Sequence, residues 1–410
     1  MVGQWVDIET NDGASFSGYL SVPRSGKGPG IVLCQEIFGV NSYIQSVADY
    51  YAEEGYVVLA PDLFWRIEPG IQLSYTEKDF QRAFELFAQF DTDQGMEDIS
   101  ASVKALRARP EVVGKVGALG FCLGGRLAYL AATRSDVDCA VAYYGVTIDD
   151  YLHEAKNINV PMVLHFAEND QYAPMASVTN IQSALKDHAD TEIFIYPGVD
   201  HGFSRTESGH FHKPTAQLAH QRSIALFRKT MGPHYNFSHL WDKHCEYEFA
   251  TRDVDATMAT MVNEPYVNHI PTMTGGVGHE HLKRFYKHHF IPQTPKDTNL
   301  IPISRTVGDG ILVDEMLFCF THDIEIDWML PGIKPTGKRV EIPLVAIVKF
   351  RGDKLHNEHI YWDQASVLVQ IGLLDPAGLP VAGIETAKKL LDEQLPSNQL
   401  MTKWADSDEN

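Results

Sequence analysis

Gly117-Ala-Leu-Gly-Phe-Cys-Leu-Gly-Gly125 is the stretch that decides how this 410-residue chain folds. Before it, Gly114–Phe121 is a short apolar run of strand length, and after it Arg126–Thr133 has the composition of a helix. Between them Gly120-Phe-Cys-Leu-Gly124 has the form G-x-C-x-G, a cysteine version of the strand–turn–helix elbow that lifts a nucleophile above a sheet edge. The glycines let the backbone crowd together beneath that nucleophile. A helix starting there points its dipole and free amides at the sulfur, which favours a thiolate. The plainer alternative is a buried cysteine in a glycine-rich turn; the strand and helix on either side favour the elbow.

The flanking sequence has the matching rhythm. Upstream, Trp5–Glu9 and Ser15–Val22 alternate like strands joined at Asn11-Asp12-Gly13, a hairpin signal. Gly30–Gln35 and Tyr56–Ala60 are strands of buried type, separated by a helix from Ser42 to Glu54 that Gly55 stops. Glu77–Phe90 and Met96–Ala108 read as amphipathic helices. Downstream, the apolar strands Cys139–Tyr144, Val160–Phe166 and Glu192–Tyr196 alternate with helices Ala176–Lys186 and Thr215–Met231. Apolar strands alternating with helices predict an α/β fold, a doubly wound and mostly parallel sheet whose ligands bind beyond the strand C-termini.

Composition narrows the function. The chain carries 34 basic and 54 acidic residues, a net charge of −20, which argues against nucleic acid or an anionic membrane as partner. An anionic substrate would need a locally basic pocket. Cysteines 34, 122, 139, 245 and 319 are few, odd in number and without a C-x-x-C pair, so neither a disulfide scaffold nor a structural zinc site is expected. The N-terminal residues lack a basic and apolar leader pattern, and no run is long enough to span a bilayer. A reducing cytoplasm is the expected compartment, and it suits a thiol nucleophile. At this length two domains are expected.

Four residues follow strand ends on one rim of the predicted sheet: Glu36, Cys122, Asp170 and His201. The last three run in the chain order nucleophile, acid, histidine. Gln35-Glu-Ile-Phe-Gly-Val-Asn41, Gly120-Phe-Cys-Leu-Gly-Gly125, Glu168-Asn-Asp170 and His201-Gly-Phe203 together resemble the dienelactone hydrolase (carboxymethylenebutenolidase) family, over residues 1–231. The resemblance implies an α/β-hydrolase fold and a Cys–His–Asp triad of Cys122, His201 and Asp170. It also implies that Glu36 manages the cysteine's proton, that the Leu123 and Ile37 amides form an oxyanion hole, and that Arg205 and Arg82 hold a substrate carboxylate. By the same resemblance, substrate displaces Glu36, which takes the thiol proton and activates the sulfur. Gly202 stands where the best-known members have Ser after the histidine.

Each residue has a plainer reading. Asp170 suits a turn before Pro174, Glu168 is a rival acid, His201 could be a turn histidine, and loop arginines are usually solvated. Glu36, between an apolar strand and Ile37-Phe38, is expected to be a partly buried carboxyl with a raised pKa. No cofactor or metal is expected; His279, His281, His288 and His289 read as a solvated histidine-rich helix, since no familiar ligand spacing accompanies them.

Residues 232–239 contain Gly232-Pro233 and read as a linker. Helical patterns follow at Leu240–Ala250, Val254–Met261 and Gly278–Phe290, with Pro265–Pro271 between, and then strands at Ile301–Val307, Ile311–Thr321, Val340–Arg351 and Lys354–Asp363. That order predicts a smaller α+β domain over 240–385, similar in layout to the nuclear-transport-factor-like cone of SnoaL-like cyclases. His269, His322, Asp327, His359 and Asp363 are its candidate pocket residues. Residues 386–410 read as a polar tail. The whole predicts a thiol hydrolase acting on a lactone or ester that carries a carboxylate, with a small-molecule substrate as partner and a homodimer through the second domain. Two alternatives stay open: a broad carboxylesterase or thioesterase, and a non-catalytic scaffold that binds a ligand or dimerises.

Overall fold

A computed structural model describes residues 3–409; Met1 and Val2, part of the stretch read above for a leader, and Asn410, the end of the expected tail, lie outside the described residues. The chain divides into two compact units, Met1–His234 and Tyr235–Asn410. Among the described residues no helix is long and apolar enough to cross a membrane.

The first unit begins with β1 (Gln4–Glu9), β2 (Ser15–Ser21), β3 (Gly28–Cys34), α1 (Ser42–Glu53) and β4 (Val57–Pro61). It continues through α2 (Glu77–Gln89), α3 (Thr92–Arg107), β5 (Val112–Phe121), α4 (Leu123–Arg134) and β6 (Ala140–Tyr143). It closes with β7 (Met162–Ala167), α5 (Met175–Leu185), β8 (Thr191–Tyr196) and α6 (Lys213–Met231). The eight strands form one sheet in the order β1-β2-β4-β3-β5-β6-β7-β8. β1 and β2 form the antiparallel hairpin, β2 joins β4 antiparallel, and the strands from β4 to β8 are parallel. β3, β4, β6 and β7 are buried along their whole length, as parallel strands covered on both faces must be. Helix α3 starts at Thr92, earlier than its apolar periodicity, because the Asp91 side chain accepts from the Asp93 and Gln94 amides and caps it.

The second unit contains α7 (Phe237–Cys245), a π-helical turn over Glu246–Ala250, α8 (Val254–Ala259), β9 (Met261–His269), β10 (Thr274–Val277) and α9 (His279–Phe285). Then come β11 (Asn299–Val307), β12 (Ile311–Thr321), β13 (Arg339–Arg351), β14 (Lys354–Trp362), α10 (Gln364–Gln370) and α11 (Glu385–Leu391). The six strands form one sheet in the order β10-β9-β14-β13-β12-β11, with β9 parallel to β14 and the other pairs antiparallel. The expectation of helices first and strands afterwards is therefore corrected: residues read as a Pro-bounded connection are β9, and β10 follows. Pro265 inside β9 hid it, since proline weakens a strand reading. Two boundaries also move. Phe237 is already buried at the start of α7, inside the expected linker, and Ala387 of α11 packs on Leu317 and Cys319, inside the expected tail.

Candidate active site

β5 runs straight into Cys122, which sits at φ +56°, ψ −115° and precedes α4. A side chain rarely adopts that backbone conformation. A Cβ on Gly120 would lie 1.8 Å from the Gly124 carbonyl oxygen, and one on Gly124 would lie 2.1 Å from the Cys34 carbonyl oxygen. The turn closes only because both positions are glycine. Cys122 N–H donates to the Tyr143 carbonyl at 3.0 Å, tying the elbow to β6. Leu123 opens α4, so its amide has no carbonyl one turn earlier within the helix to bind.

His201 comes from the loop after β8 and Asp170 from the loop after β7. His201 Nδ1 donates to Asp170 Oδ2 at 2.7 Å, because an ionised carboxylate only accepts. Asp170 Oδ1 accepts from the Tyr172 and Ala173 amides at 2.8 and 3.1 Å. The turn reading and the partner reading of Asp170 are thus both true, one for each oxygen. Glu168, the rival acid, instead accepts from the Gly198 amide at 2.9 Å and is exposed. Burial alone pushes the His201 pKa down, but the charge of Cys122 and the hydrogen bonds with Asp170 and Cys122 outweigh it and lift it to about 10. Tyr144 and Tyr172 pack edge-on to the imidazole, with ring centres 4.8 and 5.0 Å away.

Glu36 is 0% exposed, more buried than its sequence context predicts. Arg205 Nε donates to its two oxygens at 3.3 and 3.0 Å, and Nη2 to Oε1 at 2.8 Å. Burial works against the Arg205 charge, yet Glu36 raises its pKa overall. The guanidinium also lies over the Tyr75 ring, 4.7 Å from its centre, and the Tyr75 hydroxyl reaches Glu36 Oε2 at 3.4 Å. Two residues read from sequence as separate functions, proton handling and substrate binding, are one ion pair.

A cavity of about 400 Å³ opens at this rim, and Cys122, His201, Arg205 and Ile37 line it together with Phe80, Phe84 and Phe87 of α2. Arg82 does not line it. Its guanidinium pairs with Glu68 and Glu85 at 2.5 and 2.9 Å. Helical spacing explains the difference: positions 80, 84 and 87 share one face of α2, and position 82 lies about 200° from 80. The aromatic wall was legible in that spacing and was missed. Arg126 was missed as well; it is buried, donates to Thr147 Oγ1 at 2.8 Å, and burial lowers its pKa.

In the second unit, one of the five expected pocket residues, His269, lines a small cavity. Burial pushes its pKa down to about 4, so it is neutral. His322 Nδ1 lies 3.2 Å from Thr336 Oγ1, Asp327 pairs with His289 at 2.9 Å, His359 packs edge-on to Tyr266, and Asp363 caps α10. His279, His281 and His288 are exposed, and among the described residues they join no ligand cluster.

The sequence model of the Dienelactone hydrolase family matches residues 16–231. An Azospirillum brasilense relative assigned to carboxymethylenebutenolidase is 38% identical over 230 residues, covering 55% of this chain and 99% of its own. The carboxymethylenebutenolidase of Pseudomonas putida is 32% identical over 225 residues, covering 55% of this chain and 95% of its own. A solved Klebsiella pneumoniae structure assigned to dienelactone hydrolase has 25% identity and a TM-score of 0.50, covering 56% of this chain and all of its own. With the elbow, the sheet order and the family match in agreement over the first unit, the chain belongs to the dienelactone hydrolase family.

Proposed function

We propose that the first unit hydrolyses a carboxylate-bearing lactone or ester through a covalent intermediate on Cys122. Family membership makes the chain a carboxylic ester hydrolase, and the residue roles are this reading's own. The observation that carries it is the convergence of Cys122 and His201 on one cavity, with His201 Nδ1 held 2.7 Å from Asp170. That hydrogen bond aims Nε2 away from Asp170, leaving it for the sulfur. Cys122 Sγ attacks the carbonyl carbon, and the carbonyl oxygen gathers negative charge against the Leu123 and Ile37 amides. The ring or ester C–O bond breaks, and the leaving oxygen takes a proton from His201. Water, deprotonated by His201, then attacks the thioester; the C–S bond breaks, the acid leaves, and the sulfur takes the proton back from His201.

Arg205 supplies charge recognition. Its Nε and Nη2 are engaged by Glu36, and its place on the cavity wall sets the guanidinium where a substrate carboxylate can compete for it. Such competition would free Glu36 to take the proton from Cys122 whenever the sulfur rests as a thiol rather than as a thiolate paired with His201. Arg82 has no part in this reading. For the second unit the reading is a SnoaL-like cone that pairs two copies of the chain. Rapid quenching of the purified protein with a lactone tests the mechanism: mass spectrometry should find the acyl mass on the peptide bearing Cys122 and none in Cys122→Ala. Full turnover by Cys122→Ala would overturn it.

A further inference from the structure

The second unit holds a buried ionic cluster that hydrolysis in the first unit does not use. His244 of α7 and Glu248 of the π-helical turn stand four residues apart, and Glu358 comes from β14. All three are buried, and their nearest donor atoms lie within 4.8 Å of one another. His244 Nε2 is 3.1 Å from Glu248 Oε1 and 3.3 Å from Glu358 Oε1. π-helical turns of this kind occur frequently at functional sites.

The protonation state follows from the residues behind the ring. Thr260 Oγ1 donates its own proton to the Thr257 carbonyl at 2.6 Å. It can therefore only accept from His244 Nδ1, 2.5 Å away. Nδ1 carries the proton, so a neutral His244 turns its Nε2 lone pair toward the two carboxylates, with the Tyr286 hydroxyl 3.5 Å from the same nitrogen. With both carboxylates ionised that arrangement is doubly negative, and an imidazolium would leave one of the two charges uncompensated. Glu358 is 3% exposed, and its Oε1 has no hydrogen-bond partner despite its closeness to His244. Arg305, a cation whose charge reaches the adjoining Cys245, is engaged by Asp314 at 2.8 Å and Asp242 at 2.7 Å. A buried charge of this kind needs a partner.

We propose that His244, Glu248 and Glu358 hold a divalent transition-metal ion, zinc by donor type, with water in the fourth position. One doubly positive ion neutralises the two carboxylates. Zinc bonds of roughly 2.0–2.1 Å to nitrogen and oxygen place tetrahedral ligand atoms about 3.3 Å apart, which the two separations from Nε2 match. Thr260 is the outer partner that fixes the tautomer of a ligating histidine. Glu248 and Glu358 face a cavity of about 40 Å³ whose other walls are largely apolar. A water needs roughly 10–15 Å³, so this space suits a few waters on a metal rather than an organic ligand.

The test uses the full chain, stripped with a chelator and then titrated with Zn²⁺ and separately with Co²⁺. Cys122 and His201 can hold metal too, so the quantity read is the difference between the parent and Glu358→Gln. One equivalent should be lost in Glu358→Gln, along with the intense visible Co²⁺ bands of a four- or five-coordinate site. Thr260→Val should weaken that equivalent about ten- to a hundredfold. Equal stoichiometry in parent and Glu358→Gln, both folded by circular dichroism, would overturn the proposal. If Glu358→Gln does not fold, Thr260→Val decides, and unchanged affinity there overturns it.

Discussion

His201 is held between opposing forces: burial favours the neutral ring, while Cys122 and Asp170 favour the charged one and win, with a pKa of about 10. A histidine whose folded pKa is raised above its ordinary 6.5 contributes stability that is fully present below pH 6.5. That contribution is lost as pH rises from 6.5 through about 10. Removing Cys122 removes the largest cause of the upward shift. Cys122→Ala should therefore lower the His201 pKa, with Asp170 left to oppose burial, and a histidine-resolved NMR titration would measure it. An unchanged pKa in Cys122→Ala would mean that the thiol exerts no charge on the ring. Asp170 shows how one side chain serves two ends, since one oxygen holds the turn and the other holds His201.

At the level of elements, the elbow joining β5 to α4 depends on close backbone approach. Gly124 stands where a Cβ would meet the Cys34 carbonyl oxygen at 2.1 Å, and backbone cannot swing aside as a flexible side chain can. Gly124→Ala should cost about 1–3 kcal/mol or more, the scale of overpacking a tight interior. It should also reduce lactone turnover by displacing Cys122, whereas Gly13→Ala, strained by a φ of +86° but far from the elbow with nothing near its Cβ, should lose some stability and spare turnover. Urea unfolding read beside steady-state turnover separates the two. A Gly124→Ala protein with parental stability would show that the strands part easily at the elbow. α2 matters in the same way, because its spacing turns three phenylalanines toward the cavity and Arg82 away from it.

For the whole molecule, each unit has its own core. The large cluster of the first unit runs from Ile8 to Phe227, and that of the second from Phe237 to Ile371. Every residue assigned to hydrolysis lies in the first. Residues 1–234 expressed alone should fold and keep measurable lactone hydrolysis, and the full chain should unfold in more than one calorimetric transition. Insoluble or inactive 1–234 would show that the second unit completes the hydrolase core or its pocket. The metal site, lying wholly in the second unit, should bind no less tightly when Cys122 is replaced.

Local patterns were enough to reveal the first unit. The strand–turn–helix elbow lies within a few residues, and the rule that ligands bind beyond parallel strand ends turns strand boundaries into a list of rim residues. That Cys122, His201 and Asp170 stand together at one rim could be read in that way. Long-range pairing could not. Glu36 and Arg205 lie 169 residues apart, and only folding shows that the two neutralise each other. β9 was hidden by Pro265 and is defined by its partner β14, more than eighty residues later. Glu358 reads as an ordinary polar residue in an alternating strand, and only the tertiary structure makes that position interior and sets it beside His244 and Glu248. Backbone periodicity tells which residues share a face, but the charge that faces them across a core comes from elsewhere in the chain, and packing alone brings the two together.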